Sequence, residues 1–181
     1  QQFQKGSVDM RRIALLLTLL LLLCCAVAAA EEEPATIVDS TGNIEYILLE
    51  DGSAEIVDYV GSAEELEVPA ELDGHPVTSI GDEAFSGCDC VTSVTIPGGV
   101  ISIGNGAFSE CDNLSSITLP DGVTSIGDEA FSGCSLTRIT LPDSITFIGA
   151  NPFRECLRLR TIHVSSDHPV LAVVDGVLFE K

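Results

Sequence analysis

The feature that most constrains this chain is self-similarity at a fixed interval: shifted by roughly 23 residues, a period typical of stacked repeats, the sequence aligns with itself from Ile80 to Val164. The segment Ile80-Gly81-Asp82-Glu83-Ala84-Phe85-Ser86-Gly87-Cys88 returns as Ile103-Gly104 through Phe108 to Cys111. It returns again as Ile126-Gly127 through Phe131 to Cys134, and as Ile148-Gly149 through Phe153 to Cys156. The last interval, from Ile126 to Ile148, is one shorter than the two before it, and the missing residue falls between Cys134 and Leu136. Repeats of this length cannot bury their own apolar faces, so they stack on one another as a solenoid.

The other half of each coil reads Leu114, Ile117, Leu119, Pro120, then Leu136, Ile139, Leu141, Pro142, with Val91, Val94, Ile96 and Pro97 leading the series. Apolar residues here alternate with Ser or Thr, the period of a strand with one buried face. Each coil is therefore expected to give one short strand to a parallel sheet. The proline, which lacks an N–H, ends the ladder, and the glycine after each Ile removes a side chain that would obstruct the turn. A compact turn or short helix is expected opposite the sheet. Stacking at about 4.8 Å would set Ile on Ile and Phe on Phe.

This pattern resembles the BspA-like class of bacterial leucine-rich repeats over about residues 64–165. Departures lie at the far end, where Pro152 replaces the alanine before Phe153 and Val164-Ser165 replaces Leu-Pro. The resemblance implies a mainly β leucine-rich-repeat solenoid over 62–165. It also implies a role in protein–protein interaction, through surface attachment or host contact. Tyr46 to Tyr59, turning at Asp51-Gly52, reads as a hairpin, so residues 36–61 are expected to form an N-terminal β-hairpin cap. Leu72-Asp73-Gly74-His75-Pro76 forms a longer connection into the coils. Pro169 to Phe179, with Asp175-Gly176 between two apolar runs, reads as a second hairpin, and residues 166–181 resemble the start of a non-repeat insertion of that family. With no closing cap apparent after it, the chain is expected to continue past Lys181.

The segment 1–30 belongs to a different category. Met10, the only methionine, precedes Arg11 and Arg12, an apolar run from Ile13 to Val27, and Ala28-Ala29-Ala30. That order describes a secretory signal peptide over 10–30, cleaved after Ala30. The run is short of the roughly 20 residues a spanning helix needs, so no stable membrane span is expected after cleavage. Cys24 and Cys25 follow Leu23, where lipidation wants a small residue, which makes a lipoprotein the weaker alternative. Residues 1–9 read as upstream sequence. The expected location is secreted or cell-surface.

Removing that segment takes away Asp9, Lys5, Arg11 and Arg12, leaving 27 acidic and 5 basic side chains, a net charge of about −22. Such acidity disfavours nucleic acid as a partner.

Several constellations invite chemistry, and the period answers most of them. Cys88, Cys111, Cys134 and Cys156 fall one per coil, whereas zinc needs ligands converging on a point, so a buried thiol column is expected and no metal. Cys90 is the odd, exposed member. Asp82-Glu83 and Asp128-Glu129 occupy equivalent turns and read as a solvated acidic edge, since calcium needs about six oxygens around one centre. Asn113 begins a glycosylation sequon whose Leu114 must face the core. His75, His163 and His168 are scattered, and nothing assigns a nucleophile or base. The chain is expected not to be an enzyme and to use no cofactor.

What remains for function is the outward face of the strands. Alternation points Ser93 and Thr95, Ser116 and Thr118, Arg138 and Thr140, and Thr161 and His163 away from the core, in two columns. Arg160 belongs with a basic cluster of Arg138, Arg154 and Arg158, which either bridges to acids on adjacent coils or docks an acidic partner. These residues are the candidate binding surface for an extracellular or surface protein. Without tryptophan, and with both tyrosines in the cap, the face offers no platform for sugars. The competing reading is a spacer that presents a further domain.

Overall fold

The computed structural model describes residues 34–174 and 177–181; the segment 1–9, the leader expected over 10–30 and the Asp175-Gly176 turn lie outside them. The described chain begins with β1 (Ile37–Val38), β2 (Ile44–Leu48) and β3 (Ala54–Tyr59), an antiparallel meander. The β2–β3 turn is the Asp51-Gly52 turn read from the sequence. Gly52 takes the left-handed region at φ 84, and the Asp51 carboxylate accepts the Ser53 N–H at 2.9 Å and its hydroxyl at 2.6 Å. Next come β4 (Glu65–Glu67) and a tight hairpin of β5 (Glu71–Leu72) with β6 (His75–Ile80), turning at left-handed Asp73 and Gly74. Strand β3 pairs β6 in parallel, so the N-terminal strands cover the β6 edge, while β4 is the outermost strand of a separate sheet.

The coils then supply β7 (Ser93–Thr95) with β8 (Ser102–Ile103), β9 (Ser116–Thr118) with β10 (Ser125–Ile126), β11 (Arg138–Leu141) with β12 (Phe147–Ile148), and β13 (Thr161–Val164). Strands β7, β9, β11 and β13 are those expected from alternation. The β8, β10, β12 series is a second ladder continuing from β6, with Ile80, Ile103, Ile126 and Ile148 in register. Each coil thus touches two sheets where alternation predicts one, because a two-residue strand is too short to show alternation. Among the described residues the connections are turns, with no helix. A final antiparallel pair, β14 (Leu171–Val174) and β15 (Val177–Glu180), forms the expected second hairpin.

The core runs along the solenoid axis as columns. Phe85, Phe108 and Phe131 are fully buried, stacked nearly parallel at centroid distances of 5.0 and 5.6 Å, with Phe153 continuing at 5.7 Å and Tyr59 of the cap covering Phe85 at 5.4 Å. Offset stacking at this spacing adds to area burial. The glycine after each isoleucine is explained by crowding between coils: a Cβ on Gly104 would stand 2.6 Å from the Asp82 backbone nitrogen, and one on Gly127 the same distance from that of Asn105.

Candidate functional site

The outward side chains of the first sheet lie where alternation placed them. Ser93 and Thr95 pair in register with Ser116 and Thr118, and Arg138 and Thr140 pair with Thr161 and His163. Between the two groups the ladder stops: β4, β7 and β9 form one sheet, and β11 and β13 another. The one-residue deletion after Cys134 sits just before β11, at the point where the ladder breaks. The second ladder, farther along the coil, stays continuous from β10 to β12.

At this break the face opens into a groove of about 550 Å³ whose lining includes Ser116, Thr118, Arg138, Thr140, Thr161 and His163. Six of the nine candidate residues thus share one depression. Ser93 and Thr95 extend the face by one strand. Arg160 stands at the entrance of β13, outside the lining, and donates its N–H to the Thr137 carbonyl at 3.0 Å. The groove offers hydroxyls, one guanidinium and one imidazole, suited to hydrogen bonding and ionic contact.

Sequence reasoning missed two members of the face. Glu65 and Glu67 pair in register with Ser93 and Thr95 and are exposed, while Leu66 between them is buried. They precede their partners by more than one repeat length, so the shift that aligns the other coils passes over them; the alternation around Leu66 was the available signal.

The basic cluster divides. Arg154 bridges to Glu129 on the preceding coil at 3.2 Å and to Glu155 at 3.4 Å. Arg138, Arg158 and Arg160 form no ion pair among the described residues.

The acidic turns are architecture. The Asp82 carboxylate accepts the Asn105 N–H at 2.7 Å, the Asn105 side chain accepts the Asp128 N–H at 2.8 Å, and Asp128 accepts that of Ala150 at 2.7 Å. Each side chain thus splices its turn to the next. Beside this ladder, each coil has two left-handed positions, filled by Glu83 and Gly87, Gly106 and Glu110, Glu129 and Gly133, then Asn151 and Glu155. Glutamate and glycine exchange places from coil to coil, so equivalent positions on adjacent coils never stack two glutamates. Among the described residues no three His, Cys, Asp or Glu side chains converge to hold a metal.

The cysteines are likewise stitched between coils. Cys111, Cys134 and Cys156 are buried, and each thiol donates to the carbonyl of the phenylalanine one coil back: Phe85 at 3.0 Å, Phe108 at 3.0 Å and Phe131 at 2.9 Å. Burial pushes the half-buried Cys88 thiol up to about 12 and raises that of Cys156. Cys134 is raised as well, by the neighbouring Cys111 thiol and by burial. Cys88, Cys134 and Cys156 are thus protonated packing groups, as protonation and burial favour one another.

Comparison with known proteins agrees with this architecture. The family profile described as "BspA type Leucine rich repeat region (6 copies)" matches residues 78–173. A leucine-rich repeat protein from Bacteroides capillosus ATCC 29799 is 33% identical, with a TM-score of 0.63, over 72% of this chain and 99% of that one. The T. pallidum leucine-rich repeat protein is 30% identical, with a TM-score of 0.57, over 66% and 67% of the two chains. One from Bacteroides ovatus ATCC 8483 is also 30% identical, with a TM-score of 0.52, over 67% of this chain and 39% of that one. No curated protein matches. With six copies of the repeat profile across more than half its length, the chain belongs to the BspA-type leucine-rich-repeat family.

Proposed function

We propose that this chain is an exported, cell-surface interaction module that holds another protein on its β4–β13 sheet face, in the manner of an adhesin. The observation that carries this reading is the groove at the β9–β11 break, where six outward side chains from three strands meet. Family membership supports a scaffold that presents a surface, as repeat proteins vary outward positions without disturbing the core. The leader pattern of residues 10–30 supports export.

The test is retention of beads carrying the chain on purified extracellular matrix and bacterial surface proteins. Beads carrying Thr118→Glu/Thr140→Glu should lose retention, while beads carrying Glu83→Gln/Glu129→Gln, on the opposite edge, should keep it. Equal retention of the two variants, or no retention of the unaltered chain, would overturn the reading.

A further inference from the structure

Strand order gives the face a charge order. From β4 to β13 the outward strand side chains run Glu65 and Glu67, Ser93 and Thr95, Ser116 and Thr118, Arg138 and Thr140, Thr161 and His163. The acids stand at one end, hydroxyls fill the middle, and the guanidinium and imidazole stand at the other. Arg138 forms no ion pair among the described residues, so its charge faces the groove uncompensated. Here the local order opposes the whole-chain charge of −20, which by itself would draw in basic partners.

Resting on the sheet-face reading above, we infer that the partner segment lies across the strands and is itself charge-polarised. It sets lysine or arginine against Glu65 and Glu67, aspartate or glutamate against Arg138 and His163, and an uncharged hydrogen-bonding stretch between. Taking about 4.8 Å between paired strands, the two ends stand at least roughly 14 to 19 Å from one another across the β9–β11 break. An extended chain advances about 3.3 Å per residue, so the opposite charges belong about four to six residues apart. Such a segment pairs each charge with its opposite, whereas a uniformly charged one meets repulsion at one end.

The probe is a blocked octapeptide of two lysines, four alternating serines and threonines, and two glutamates. It is compared with versions carrying four lysines or four glutamates, by amide shift titration of the chain at low salt. The mixed peptide should bind at least about fivefold more tightly than either uniform one and shift Ser116, Thr118 and Arg138. Arg138→Glu/His163→Glu should transfer the preference to the four-lysine peptide, and Glu65→Lys/Glu67→Lys to the four-glutamate one. All four side chains are exposed, so both variants should keep the unfolding midpoint of the parent chain. A four-lysine peptide that binds the unaltered chain best, or preferences that ignore the substitutions, would overturn the inference. If bead retention were nonetheless lost in Thr118→Glu/Thr140→Glu, the sheet-face reading would stand and only the charge order would fall.

Discussion

Asn105 accepts the Asp128 backbone N–H on its side-chain oxygen at 2.8 Å, and on its other side donates its amide to the Asp82 carboxylate at 3.1 Å. A neutral residue between two carboxylates lets the same splice repeat over three coils without stacking like charges. Asn105→Asp should therefore cost about 1–2 kcal/mol at low salt, through a lost donor and new repulsion. Asn105→Ala, which loses the bonds alone, should cost less. Raising ionic strength screens exposed charges, so the gap between the two variants should close in urea unfolding at high salt. A gap that salt leaves unchanged would show that charge separation is not what Asn105 provides.

Two glycines make a matched contrast. A methyl on Gly127 would drive into the Asn105 backbone at 2.6 Å, while one on Gly98 meets nothing within 4 Å. Backbone cannot yield as a side-chain tip can, so Gly127→Ala should lower stability by about 2 kcal/mol or more. Gly98→Ala should be neutral, or stabilise by about 0.5 kcal/mol through the unfolded chain. Thermal unfolding of the two variants beside the parent decides this.

Features that recur with the period were legible in the sequence, because a column of identical side chains is also a column of identical contacts: Phe85 on Phe108, Ile103 on Ile126. The candidate residues of β7 to β13 were placed on the correct face for the same reason. Less legible were features that depend on a departure from the period. The loss between Cys134 and Leu136 is visible as a number, but only the three-dimensional stack shows that β9 and β11 part company beside it while β10 and β12 stay paired. Glu65 and Glu67 escaped because the Asp73-Gly74 hairpin lengthens the first coil. The Asp82–Asn105–Asp128 splice escaped because acidic turn residues read as solvated until the next coil is seen to donate to them.

The raised thiols of Cys88, Cys134 and Cys156 predict alkaline sensitivity. Cys88, at an ordinary value of 9.0, is pushed up to about 12 in the folded chain, and Cys134 and Cys156 are also raised. A thiol whose folded value is raised stays protonated while the unfolded chain ionises. Its stabilisation is complete below pH 9 and disappears as pH rises towards 12. Urea midpoints should thus fall between pH 9 and 10.5, and Cys88→Ala should flatten part of that fall. Cys90, which is exposed, should react with iodoacetamide at pH 8 well before the buried thiols. An unchanged slope in Cys88→Ala would remove the thiol explanation.

Asp39 gives the opposite limb. Burial pushes its carboxyl up, but the Thr41 hydroxyl and the N–H groups of Ile44, Thr41 and Asn43 together outweigh that and bring it to about 2, below the ordinary 3.8. A depressed carboxyl contributes fully above pH 3.8, and its contribution is lost as pH falls towards 2. Asp39→Ala should cost about 2 kcal/mol at neutral pH, by removing charge-assisted bonds that close the β1–β2 turn. It should also weaken the acid dependence between pH 4 and 2. A variant with the parent's neutral stability would show that the turn closes without the carboxylate.

His168 tests whether the terminal hairpin is held independently of the coils. Its ring is buried. Nδ1 accepts the N–H groups of Val170 at 3.2 Å and Leu171 at 3.1 Å, which leaves Nε2 to donate to the Pro142 carbonyl at 3.1 Å. One ring in one tautomer therefore ties the start of β14 to the coil beneath it, and Lys181 closes the loop by donating its ammonium to the His168 carbonyl at 2.7 Å. Because solenoid coils interact chiefly with their neighbours, His168→Ala should free β14 and β15 while leaving the Phe85, Phe108 and Phe131 column intact. Amides from Val170 onward should exchange at least tenfold faster, with protection of the coils from Ile80 to Leu136 unchanged. If protection fell along the whole stack, the hairpin would be part of the cooperative unit, and His168 would serve the solenoid and not only its last coil.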